Sequence, residues 1–155
     1  MTLDRTLLAA ELRRDEGVRQ LLYDDATGKP IVRGSVVVGT PTVGIGRNML
    51  RPLSNAAIAF LLAEDMRDTE ADLDLRWPWW RSLDPVRQRV MCNLCFNLGP
   101  TKLAGFRRFL AAVQAGSYAV AAHEMASSLW HRQVGERAVR LEGMMLRGDD
   151  EAPTV

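Results

Sequence analysis

The chain has 155 residues, 47% of them hydrophobic and 25% charged, which is enough for one domain with a proper core and is not the composition of a disordered segment. A formal net charge of +1 gives no general attraction to polyanions and no nucleic-acid module is recognisable, so nucleic acid is not an expected partner. No apolar run approaches the roughly 18 residues of a membrane span, and Met1-Thr2-Leu3-Asp4-Arg5 lacks the layout of a signal peptide, so the expectation is folding in a cytoplasm without stable membrane insertion.

Leu3, Leu7, Leu8 and Leu12 recur at helical spacing and Gly17 is a usual C-cap, so the first helix ends with Glu16 in its last turn. There the macrodipole disfavours an anion, and partial burial adds to that, which is what a proton donor needs. Taken alone, Glu16 reads as a solvated acid that happens to fall at a helix end. Thr27-Gly28-Lys29-Pro30 then marks a turn. Ile31-Val32-Arg33 and Val36-Val37-Val38 read as strands around Gly34-Ser35, and Thr42-Val43-Gly44-Ile45-Gly46 follows Gly39-Thr40-Pro41, giving a small antiparallel sheet.

Ser54 is a good N-cap for a long helix carried by Ala57, Leu61, Leu62, Asp65 and Met66 toward Leu73 or Leu75. Trp77-Pro78-Trp79-Trp80 at its exit reads as core packing rather than a sugar platform. Asp84-Pro85 places a cap and an N1 proline at the start of a helix that runs to Leu98 before Gly99-Pro100. Cys92 and Cys95 form a Cys-x-x-Cys inside the apolar run Val90 to Phe96, with no second pair, and read as small buried residues on that helix. Shorter helices follow: Leu103 to Ala115 closed by Gly116, Tyr118 to Ser128 capped by Ser117, and Glu136 to Arg147 closed by Gly148. The acidic tail from Asp149 to Val155 is expected to fray. Ten basic residues face four acidic ones between Arg81 and Arg147, a solvated surface by default, though one suited to an anionic cell wall.

The chemistry gathers in the first third. Glu16, a second carboxylate at Asp25 and a hydroxyl at Thr42 leading into Gly44-Ile45-Gly46 are the parts of a two-carboxylate hydrolase. Asp24 competes with Asp25, but neighbouring strand residues face opposite sides and only one can aim into a cleft.

This order, Glu16, eight intervening residues, Asp25, then Thr42-Val43-Gly44-Ile45-Gly46, resembles the T4-like phage lysozymes of glycoside hydrolase family 24. The resemblance resumes in Ser54 to Leu75, in Asp84-Pro85-Val86-Arg87 through Asn93 to Gly99, in Ala104-Gly105-Phe106, and in Trp130-His131-Arg132-Gln133 with Arg137 and Arg140. It implies an α+β, lysozyme-like single catalytic domain, with a sheet lobe near 17–50 and a larger helical lobe near 76–148 that includes the N-terminal helix, joined by a long helix. It also implies hydrolysis, without metal or organic cofactor, of the β-1,4 bond between N-acetylmuramic acid and N-acetylglucosamine in peptidoglycan.

On that resemblance Glu16 is the general acid, and Asp25 with Thr42 holds the attacking water, with Asp25 preferred to Asp24 by the spacing of the family motif. Arg137 stands where the family has an arginine beside the acid, and Arg140 where one pairs with the preceding acid, here Asp15. Gly44 and Gly46 let substrate or a neighbouring chain approach, while Phe96, Asn97 and Gln133 line the cleft. The implied partners are cell-wall peptidoglycan and a holin that releases a monomeric lysis enzyme. The chain departs from the family by roughly eleven extra residues between Asp25 and Thr42, read as a longer hairpin that costs little in loop closure. A helix before the long one is missing, and Asn48, Phe109 and Glu124 differ at sugar-contact positions. The rivals are a lytic transglycosylase, which forms 1,6-anhydro products with one acid, and a catalytically silent wall-binding or structural phage protein.

Overall fold

A computed structural model describes residues 3–149. By its internal contacts the chain divides into two compact units, with the boundary after Asn55.

In the first unit α1 (Arg5–Glu16) starts at Asp4, whose carboxylate accepts the Thr6 and Leu7 N–H groups at 3.0 and 2.9 Å. It stops at Gly17, where φ of +70° turns the chain out of the helix. Three antiparallel strands follow, β1 (Arg19–Asp24), β2 (Pro41–Gly44) and β3 (Arg47–Asn48), in the order β1-β2-β3. Tyr23 pairs with Thr42 and Thr42 with Asn48, and the register shifts between Arg19 and Tyr23. The helix α1 is part of this unit together with the sheet.

The sheet is smaller than expected. Ile31-Val32-Arg33 and Val36-Val37-Val38 are not strands but parts of an irregular loop between β1 and β2. That loop meets β1 through one bridge, Tyr23 to Pro30, flanked by bonds from the Asp24 N–H to the Lys29 carbonyl and from the Ile31 N–H to the Leu22 carbonyl. Pro30 has no N–H to donate, and the pairing goes no further. The β-branched side chains beyond it have no sheet face to pack on: Val32, Val36 and Val38 are exposed, and the Val38 and Gly39 N–H groups turn to the Asp24 carboxylate instead of a neighbouring strand.

The second unit is helical: α2 (Asn55–Arg76), a 3-10 turn (Pro78–Ser82), α3 (Pro85–Leu98), α4 (Pro100–Leu103), α5 (Arg107–Gln114), α6 (Tyr118–Ala126), α7 (Leu129–Val134) and α8 (Glu136–Arg147). Its core is apolar, with Leu94, Leu103, Phe109, Met125 and Leu141 almost wholly excluded from water. Trp80 joins it with its indole N–H bonded to Asp74 at 2.7 Å, and Trp77 and Trp79 pack against the same cluster, as the core reading of these aromatics requires. Asp84 caps α3 through the Val86 and Arg87 N–H groups. Arg87, nearly buried, pairs with Asp84 at 2.7 Å and donates to the Met145 and Leu146 carbonyls at 2.8 and 2.9 Å, so one side chain ties the start of α3 to the last turn of α8.

Three helix boundaries differ from expectation. The segment Leu103 to Ala115 is two helices, because Gly105 and Phe106 donate back to Lys102 and Leu103 in a tight turn that lets both Leu103 and Phe109 reach the core. Ser117 makes no side-chain cap to α6, which ends at Ala126. Ser128 is instead the cap of α7, accepting the His131 N–H at 3.1 Å. At the end of the chain, Asp149 pairs with Arg147 at 2.9 Å, while the rest of the tail expected to fray, 150–155, lies outside the described residues. Among the described residues no helix is long and apolar enough to cross a membrane.

Candidate active site

Glu16 is the last residue of α1, and its exposed side chain lies across Gly46 in the turn between β2 and β3. A Cβ at Gly46 would sit 3.2 Å from Glu16 Oε2 and 3.6 Å from Cδ, and the backbone there has φ of +67°. Glycine is thus needed at 46 for the turn and for the close approach of the acid. The neighbour expected near Gly46 is Glu16 itself. A Cβ at Gly44 would meet open space.

At the other end of β2, Asp25 is exposed and one residue beyond the ladder. Its N–H donates to the Thr40 carbonyl at 3.1 Å, and its Oδ1 accepts the Thr40 N–H at 2.5 Å. The buried Thr42 hydroxyl donates to the same Thr40 carbonyl at 3.0 Å. Asp25 opposes Thr40 and Thr42 opposes Tyr23, so Asp25 and Thr42 are diagonal neighbours on one sheet face. Glu16 and Asp25 therefore flank β2 from its two ends, with Thr42 between them.

Asp24 behaves oppositely to Asp25. Only 4% exposed, its carboxylate accepts three backbone N–H groups, Val38 at 2.8 Å, Gly39 at 2.9 Å and Ala26 at 3.0 Å. The Val38 bond foremost, with those from Gly39 and Ala26, holds the Asp24 carboxyl below its ordinary range against the opposing pull of burial. This clamp was not anticipated. The local signal for it was Asp24 two residues before Ala26, where an Asx turn forms. Asp15 pairs with the adjacent Arg14 at 2.8 Å, both exposed.

The remaining candidates lie in the helical unit, in two hollows. Phe96, about half exposed, and Arg137 line the first, with Leu62, Met66 and Cys92. The Arg137 guanidinium there is held by Asn93 Oδ1 at 2.6 and 3.0 Å. Gln133 lines the second, an open groove of about 740 Å³ that also takes in Phe106, Trp130 and Glu124. Asn97 supports that groove by accepting the Trp130 indole N–H at 2.8 Å. Arg140 is exposed on α8.

The phage lysozyme family profile matches residues 13–151. The chain belongs to the phage lysozyme family. Its small antiparallel sheet and set of helices are accordingly the α+β, lysozyme-like fold. It is 27% identical over 163 aligned positions, 94% of its own length, to the pre-baseplate central spike protein of Enterobacteria phage T4. It is 28% identical over 69 positions, 44% of its length, to a probable T4-type lysozyme of Dictyostelium discoideum. The chain spans 28% and 41% of the lengths of these two relatives.

Proposed function

We propose that this protein is a peptidoglycan hydrolase, an N-acetylmuramidase that cleaves the β-1,4 bond between N-acetylmuramic acid and N-acetylglucosamine and lyses a bacterial host. The observation that carries this reading is the placement of two carboxylates at opposite ends of β2, one lying over Gly46 and one bound with Thr42 to the Thr40 peptide. An inverting mechanism needs two carboxylates far enough apart to admit a water between acid and base.

Glu16 gives its proton to the glycosidic oxygen as the bond to the anomeric carbon breaks. A water attacks that carbon from the opposite face and passes a proton to Asp25. With Asp25 Oδ1 engaged by Thr40, Oδ2 is the oxygen that faces the water, and the Thr42 oxygen keeps lone pairs to orient it. Gly44, Gly46, Phe96, Asn97, Gln133 and Arg137 are the proposed substrate contacts, with Asp15 and Arg140 as supporting residues. The proposed setting is a monomer that reaches the wall from the host cytoplasm with the help of a holin. The match of 94% of this chain to 28% of a phage spike protein favours a second setting, as the wall-cutting module of a virion spike.

Mass spectrometry of muropeptides released from purified peptidoglycan tests the activity. The wild type should release ends with reducing N-acetylmuramic acid, and Glu16→Gln should lower the rate about 10²–10⁴-fold. Anhydro ends would make the protein a lytic transglycosylase, and no product from folded wild type would leave a binding or structural protein.

A further inference from the structure

We propose that Asp24 is a positioning residue for Asp25, drawing together the two ends of the loop 26–39 so that Thr40 meets the Asp25 carboxylate. The inference rests on the reading of Asp25 as the water-binding carboxylate, and adds a residue to it. Asp24 Oδ1 bonds Ala26 at the start of the loop and Gly39 at its end, and Oδ2 bonds Val38. Its own N–H donates to the Lys29 carbonyl, and its carbonyl accepts from Thr27 and Gly28. Every polar group of this residue is thus spent on the loop.

Beyond Asp24 the loop is tied to β1 by Arg19 donating to the Gly28 carbonyl at 2.8 Å and Ile31 to the Leu22 carbonyl, and by a local turn between Val32 and Ser35. Val32, Val36 and Val38 are exposed, and the single bridge at Pro30 ends the strand pairing. Immediately past the clamp, Thr40 makes its two bonds to Asp25 and receives the Thr42 hydroxyl. Gly39 is part of the same closure. A Cβ there would run into Asp25 Oδ1 and Ala26, so the loop ends meet only because residue 39 has no side chain. Without the clamp, the loop ends are held by the β1–β2 pairing and the Thr40 bonds, and the Thr40 N–H bond that fixes which Asp25 oxygen faces the water loosens.

The test compares the wild type with Asp24→Asn and Gly39→Ala, which disturb the closure by different means. An amide in place of the carboxylate loses an acceptor and aims a donor at the Val38 N–H, while alanine at 39 keeps the carboxylate and forces the loop ends apart. Both variants should lose kcat by about 10²-fold on soluble muropeptide substrate with KM changed by about two-fold or less. In nuclear magnetic resonance spectra the Thr40 amide proton should lie far downfield in the wild type and move toward the random-coil range in both variants.

Folded variants with wild-type kcat would overturn the proposal, as would a Thr40 amide that does not move. A wild type that cleaves no glycan removes the hydrolase reading and the catalytic half of this one. The Thr40 amide would still report whether Asp24 closes the loop.

Discussion

The two units of this chain are held by different forces. Among the described residues up to Asn55 only Asp24 and Thr42 are buried, and both spend their side-chain atoms on backbone groups. The helical unit instead excludes a cluster of apolar side chains from water, with Leu73, Leu94, Leu103 and Phe109 at its centre. Non-directional burial tolerates imprecise geometry, whereas hydrogen bonds fix atoms to a few tenths of an ångström. The unit that carries the two proposed catalytic carboxylates is the one built on directional bonds.

The largest stability effect should therefore come from the helical unit. Leu94→Ala removes a wholly buried side chain and should cost about 2–5 kcal/mol in denaturant unfolding, while Val36→Ala in the exposed loop should stay within about 0.5 kcal/mol. A comparable loss at Val36 would mean that the loop buries its valines in solution and would erase the contrast.

A smaller effect separates the two units by pH. Asp24 is held below its ordinary value of 3.8 by the Val38 N–H first, so its contribution to stability is present above that value and disappears as the pH falls through the lower value of the folded state. On acidification below about pH 4, hydrogen-exchange protection at Val38, Gly39 and Thr40 should vanish first, while Leu94 and Leu141 in the apolar core stay protected. Asp24→Asn should abolish that acid step. Simultaneous loss at all five amides would refute the division.

What could be read from the chain beforehand follows the same line. The end of α1 at Gly17, the start of α3 at Asp84-Pro85 and the bounds of α8 at Glu136 and Gly148 depend on residues a few positions apart, and local chemistry sufficed. The valines at 32 and 36–38 carry strand propensity, yet propensity says nothing of whether a neighbouring strand exists to pair with. Glu16, Asp25 and Thr42 stood out by type and spacing. The link between Asp25 and Thr42, the Thr40 peptide, did not, because Asp24 reaches residues 14 and 15 positions away to bring it there. The hand-over of Ser128 from α6 to the cap of α7 was hidden for a related reason: one serine can serve two helices, and packing chooses between them.

The smallest effect uses the thiols as reporters of the helical unit. Burial pushes Cys92 up to about 11 and also raises Cys95, so neither is a thiolate near pH 8 and both should alkylate slowly in the native protein. Their labelling rate with iodoacetamide then measures how often the core around α3 opens. Leu94→Ala, one residue from Cys95, should speed labelling, because the cavity weakens the contacts that keep the thiols from solvent. Asp24→Asn should leave the rate within about two-fold, since the bonds it breaks stabilise only the loop 26–39. If it speeds labelling as much as Leu94→Ala does, the polar clamp and the apolar core open as one cooperative structure, and the contrast between them is one of composition alone.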